Sequence, residues 1–178
     1  MYITKTKTQY PVTTEEARDH LNILIGEQPE KNTYITNLIK VTTEEVEQIL
    51  LYDVALTTNV LELDDFADSY VEVLEGNLKE FLSVQVNDTS IDYDKIETPR
   101  LRIPDSFKIF LNSVVSANPL KLEFTTGWDA DNVPAPIKQA ILIRISDLFD
   151  TERGNYGYNN VINLKASERL LSGYKIIL

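Results

Sequence analysis

Cysteine is absent from this 178-residue chain, and histidine, methionine and tryptophan occur once each. Without cysteine no disulfide can form, and zinc sites built on thiolates are excluded. The lone histidine, His20, cannot make a two-histidine metal site, and it would have to serve any Ser-His-Asp triad. No Gly-x-Ser-x-Gly elbow exists to present the serine of such a triad. Long apolar runs are missing too: nothing approaches the ~18 residues that a membrane span needs. Met1-Tyr-Ile-Thr-Lys-Thr-Lys7 lacks the apolar centre of a secretion signal, so synthesis and use in a cytosol are expected, with no membrane partner. Glycine is scarce, and Gly154 and Gly157 are too few to cradle a phosphate.

Positive charge is the next shortage. The net charge is −11, and it is unevenly placed. Residues 1–80 hold 16 Asp and Glu against 6 Lys and Arg, whereas residues 81–178 hold 12 against 11. Such a surface repels phosphate and argues against reading or wrapping duplex DNA. It remains compatible with a wall past which DNA slides without sticking.

Several groupings of acids bear on chemistry. Asp129-Ala-Asp131-Asn132 opens like a calcium loop, but the sixth position is Pro134 and the twelfth is Ala140, where glycine and a bidentate glutamate are needed. Asp64, Asp65 and Asp68 read as a solvated turn rather than a cation site. Nothing singles out a carboxylate pair for glycoside chemistry. No catalytic residue, metal site or cofactor is expected.

What is present is pattern. The size and the 43% hydrophobic content suit one domain with a real core. Residues 1–12 read as an extended arm closed by Pro11. Thr13-Thr-Glu-Glu16 is a capping box opening a short helix that ends near Gly26. A longer helix is predicted from Asn32 to Tyr52, with Ile35, Leu38, Ile39, Thr42, Val46 and Ile49 on one stripe. A second Val-Thr-Thr-Glu-Glu at 41–45 leaves open a break into two helices.

From Asp53 to Gly127 the period changes to two. Strands are predicted at 61–63, 70–73, 81–86, 107–111 and 120–124, separated by turn residues, which suggests an antiparallel meander. A third helix starts at Pro134–Pro136 with Ile137, Ile141, Ile145 and Leu148 inward. Ile143 projects from its far side, as an ordinary exposed residue or a subunit contact. Residues 153–160 read as a loop, 166–173 as a short helix and 174–178 as an apolar tail. The fold class is therefore α+β: helices from both termini form a small bundle around an antiparallel β-rich insert. Its parts are 1–52, 53–127 and 128–178 of one domain.

Several motifs go further. Tyr10-Pro-Val-Thr-Thr-Glu-Glu-Ala-Arg-Asp-His-Leu-Asn-Ile23 opens the chain's helical part, followed by Tyr34-Ile-Thr-Asn-Leu-Ile-Lys40. The strand end Thr126-Gly127-Trp128 precedes Val133-Pro-Ala-Pro-Ile-Lys-Gln-Ala-Ile-Leu142, and Ser167-Glu-Arg-Leu-Leu-Ser-Gly-Tyr-Lys175 closes the sequence. In this order they resemble the head–tail connector (head-completion, adaptor) family of tailed phages. The end of the third helix, Ser146-Asp-Leu-Phe-Asp-Thr-Glu-Arg153, departs from the family pattern, and residues 64–111 match weakly.

The resemblance implies a structural virion protein at the head–tail junction, made in the host bacterial cytoplasm. Copies would form a ring, usually dodecameric, beneath the portal protein. The ring extends the DNA channel, completes the head after packaging and offers a docking surface to the stopper or tail-completion protein. DNA would pass without sequence-specific binding. Carried over by position, Leu170, Leu171, Tyr174, Ile176, Ile177 and Leu178 are the portal-contact candidates. Docking three aliphatic side chains gains several kcal/mol at ~25 cal/mol per Å2. The same tail could instead fold onto its own core. The competing function is a small-molecule or carbohydrate-binding β module using Tyr52, Tyr70, Tyr93 and Trp128.

Overall fold

The structure, a computed structural model, describes residues 2–23, 31–99, 106–152 and 158–176, excepting the side chains of 150–152 and 158–164. The fold is α+β, and the chain divides into two compact units: residues 1–9 with 55–127, and residues 10–54 with 128–178. The first unit is β, the second helical.

The helical unit holds α1 (Thr14–His20), α2 (Asn32–Leu50), α3 (Ala135–Glu152) and α4 (Tyr158–Leu171), the last followed by a 3-10 turn at Ser172–Tyr174. The capping box at α1 is formed as expected. Thr13 Oγ1 accepts from the Glu16 amide at 3.2 Å, and Glu16 Oε2 accepts from the Thr13 amide at 2.9 Å. Two orphan donors of the first turn are thereby satisfied. Helix α2 runs unbroken through 41–45, because its apolar stripe keeps phase there. Thr42 and Thr43 are buried, and each hydroxyl donates to a carbonyl one turn back.

Leu51 ends α2 in the left-handed conformation (φ 65°), its amide donating to the Glu47 carbonyl at 2.8 Å. That position usually belongs to glycine, and a leucine there carries strain. The helical core is built from Val12, Ala17, Ile35, Leu38, Ile39, Val46, Leu50, Ile137, Ala140, Ile141, Ile145, Phe149 and Leu171. Ile49 and Leu148, expected on the inward stripes, are only half-buried. Helix α4 begins at Tyr158, so residues 158–160, read as loop, are helical. The rest of that predicted loop, 153–157, lies outside the described residues.

The β unit holds β1 (Tyr2–Gln9), β2 (Leu56–Leu63), β3 (Phe66–Val73), β4 (Leu78–Val86), β5 (Thr89–Ile91), β6 (Tyr93–Glu97), β7 (Phe107–Ala117) and β8 (Leu120–Thr126). All five predicted strands are found, and every pairing is antiparallel. The arm is not free but forms β1, paired with β2 in unbroken register from Tyr2↔Glu62 to Lys7↔Thr57.

The order corrects the meander. One sheet runs β1-β2-β8-β4-β5 and the other β3-β7-β6. Two tight turns, Asp64–Asp65 and Asn118–Pro119, carry the chain from one sheet to the other instead of forming hairpins within a sheet. Asn118 ties this end together, its Nδ2 donating to Asp65 Oδ1 (2.8 Å) and its amide to Asn87 Oδ1 (3.1 Å). Within one sheet, Asn87 and Asp88 both take positive φ (48° and 63°), as a two-residue hairpin between β4 and β5 requires.

The two sheets pack face to face over one core. Leu61, Val84, Leu120, Leu122 and Phe124 from the first meet Val71, Val73, Phe107, Ile109 and Leu111 from the second. Phe107 and Phe124 touch edge to face across it, centroids 5.1 Å apart. Such a pair adds ~0.5–1.5 kcal/mol beyond its burial.

Candidate interaction surfaces

His20 closes α1 half-buried. Among the described residues no group of three His, Cys, Asp or Glu is placed to hold a metal ion. The acids around 64–68 are engaged locally: Asp65 accepts from Asn118, and Asp68 Oδ1 accepts from the Ser69 amide at 2.6 Å. Asp129 caps a turn before α3, its carbonyl accepting from the Asn132 amide at 2.9 Å. Among the described residues no helix is long and apolar enough to cross a membrane.

The four aromatics divide between the two units. Tyr52 packs edge to face on Trp128 in the helical unit, centroids 5.8 Å apart. Tyr70 stacks on Phe110 at 5.8 Å and Tyr93 meets Phe81 at 5.1 Å in the β unit. Two open clefts of the β unit hold none of the four. One, about 570 Å3, lies at the turn end between Asp65, Asn87 and Asn118. The other, about 390 Å3, lies between Ser90, Asp92 and Asn112.

Beside that second cleft β7 bulges. Its residues from Leu111 to Val114 have no opposite number in β3 other than Ser69, since Asp68 pairs with Val115 and Tyr70 with Phe110. The tip residue, Val114, is 75% exposed. The outward face of the three-stranded sheet carries two cross-strand rows. Glu72, Lys108 and Glu97 form one; Tyr70, Phe110 and Lys95 form the other. Lys95 Nζ stands 4.8 Å from the Phe110 centroid and 2.6 Å from Glu97 Oε1. Hydrogen bonding to Glu97 raises the Lys95 pKa above the ordinary lysine value.

The C-terminal candidates fall into different environments. Leu171 is fully buried in the helical unit, so it is not on a surface of the lone protomer. Leu170, Tyr174 and Ile176 are half-buried. The Tyr174 carbonyl accepts from Tyr52 Oη at 2.9 Å, holding the segment against its own helices up to that point. Ile177 and Leu178 lie outside the described residues. Ile143 is half-buried on α3.

Sequence reasoning passed over the polar lock of this unit. Arg144 sits on α3 with its side chain 8% exposed. Its Nε donates to Ser167 Oγ of α4 at 2.8 Å, and its Nη1 donates to Glu45 Oε2 of α2 at 3.0 Å. Lys138 of α3 pairs with Glu16 of α1. Burial raises the Glu16 pKa, but the Lys138 and Thr13 hydrogen bonds outweigh it, so the carboxyl ends below its ordinary value.

Comparison with known proteins adds the following. No family model and no curated protein sequence matches the chain. Solved structures do match it. A chain in the neck of an empty gene transfer agent particle, computed with C6 symmetry, has a TM-score of 0.75 at 12% identity. The virion of the native gene transfer agent gives 0.69 at 12% identity, and the native neck, computed with C12 symmetry, 0.67 at 13%. Each match covers 100% of this chain and 97% of the other. The chain has, from end to end, the fold of a protein in the neck of a gene transfer agent particle, in keeping with its sequence resemblance to the head–tail connector family.

Proposed function

We propose that this chain is a non-enzymatic structural subunit of a virion head–tail connector. Copies form a ring beneath the portal, continue the DNA channel and present a docking surface to the stopper or tail. The observation that carries this reading is the fold match over the whole chain, helices and β unit together, to neck proteins. The symmetric necks in which those neighbours sit support a ring of copies, and the acidity of residues 1–80 suits a wall that does not bind passing DNA. The portal contact is assigned to Leu170, Tyr174 and Ile176 together with Ile177 and Leu178. Leu171 serves the subunit's own core. Ile143 is assigned to a contact between copies.

The test is genetic. Particles lacking this chain should fill with DNA yet carry no tails, and a copy truncated after Tyr174 should fold but fail to join portal-bearing heads. Tailed, infectious or transferring particles made without the chain would overturn the assignment. Normal incorporation of the truncated copy would overturn the tail contact alone.

A further inference from the structure

The segment behind α4 is held by a tyrosine far away in sequence. Residues Ser172–Tyr174 make a 3-10 turn, and Lys175 leaves it in extended conformation (φ −69°, ψ 138°). Tyr174 and Ile176 are half-buried, so neither offers its whole side chain to a partner. Tyr52 supplies the hold. Its ring is buried and lies edge to face on Trp128, and its hydroxyl donates to the Tyr174 carbonyl at 2.9 Å across 122 positions of sequence. All three residues belong to the helical unit. A ring already fixed by burial loses little further freedom when its hydroxyl makes that bond.

Between α4 and this bond stands Gly173, and the local geometry does not require a glycine there. Its φ is not in the left-handed region, and a Cβ placed on it would meet no atom within 4 Å. By contrast Leu51, Asp65, Asn87 and Asp88 take positive φ without being glycine. What glycine brings to position 173 is freedom. It loses more conformational entropy on being fixed than any other residue, so a turn built on it opens more readily. Hinges are a few residues at the ends of elements that absorb such backbone changes.

We propose that Gly173 is a hinge and the Tyr52–Tyr174 hydrogen bond its latch. The free subunit holds Tyr174 and Ile176 on itself, and the partner takes the form in which they have swung out. This rests on the portal contact assigned above. It adds that the subunit restrains its own docking. A partner that accepts only the open form binds more weakly in proportion to the open fraction, and one ordinary hydrogen bond changes that fraction by about fivefold.

The test uses the full chain in two assays. Trypsin needs an extended stretch of chain, so its cut after the exposed Lys175, counted by intact mass, reports opening of the turn. Binding to DNA-filled heads made without this chain is measured beside it. Tyr52→Phe keeps the ring on Trp128 and removes only the hydroxyl. It should speed the cut about fivefold and lower the concentration for half-filling of the heads by a similar factor. Gly173→Ala should do the reverse in both assays, by about two- to fivefold, while raising the urea midpoint. The double variant should return close to native values. An unchanged cutting rate in Tyr52→Phe overturns the latch. Weaker binding of that variant to the heads overturns it too, because a bond that presets the tail for docking would act that way. An unchanged rate in Gly173→Ala overturns the hinge. If chains truncated after Tyr174 fill the heads as well as the native chain, the portal contact falls, and the cutting rates still decide whether the latch exists.

Discussion

Arg144 gives the sharpest test of how the helical unit is held. It reaches α2 and α4 from α3 with one planar fork, so its partners, Glu45 and Ser167, lie on helices far apart in sequence. Truncation to alanine removes three contributions. The charged hydrogen bond to buried Ser167 is worth ~1.5–3 kcal/mol. The pair with Glu45, whose side chain is 41% exposed, is discounted for solvent to ~0.5 kcal/mol. The buried stem adds ~0.8 kcal/mol per methylene. Arg144→Ala should therefore destabilise the protein by about 4 kcal/mol. Arg144→Lys keeps most of the stem but engages one partner at a time, and should cost about 2 kcal/mol. Arg144→Met fills the space without stranding a charge, because Ser167 Oγ can still donate to the Ala140 carbonyl (3.4 Å). It should cost less than the alanine variant. Urea unfolding followed by far-ultraviolet circular dichroism measures all three. If lysine matches arginine within about 0.5 kcal/mol, the fork is not what joins the helices, and the reasoning fails.

Two further outcomes follow from features of the same unit. Glu16 has a folded pKa below its ordinary value, so its contribution is fully present above the unfolded pKa and is lost as pH falls through the folded one. The stability gap between the native chain and Glu16→Gln should thus be widest near neutral pH and close as the pH falls through the lowered folded pKa; a gap independent of pH would refute the pairing with Lys138. Leu51→Gly should raise the urea midpoint, with a gain of about 0.5–1 kcal/mol from relief of the left-handed strain. A loss instead would mean that the leucine side chain, 57% exposed, is held by contacts worth more than the strain.

Local signals carried most of the sequence reading. The capping box at Thr13, the stripe of α2 and the alternation in β2, β3, β4, β7 and β8 are written within a few neighbouring residues, and each produced its element. From sequence β1 reads only as an arm because Thr4, Lys5, Thr6 and Lys7 show no apolar alternation. An edge strand wet on both sides needs none. β6, with Tyr93-Asp-Lys-Ile-Glu97, gives no strand signal for the same reason. Strand order was out of reach, since nothing near Leu61 says that Leu122 lies opposite it rather than a strand next in sequence. Arg144 shows the same limit for the surfaces: its burial depends on Glu45, 99 positions away.

The chain passes from one unit to the other after Gln9, after Val54 and after Gly127. A ribosome making it must therefore release β1 long before β2 exists to receive it, and α1 with α2 long before α3. The β unit cannot be finished until β8 has emerged, nor the helical unit until α4 has, so a premature stop anywhere before β8 leaves two incomplete structures rather than one sound one. Pairings so distant along the chain are slow to form. Both units are whole only in chains whose synthesis has run through α4.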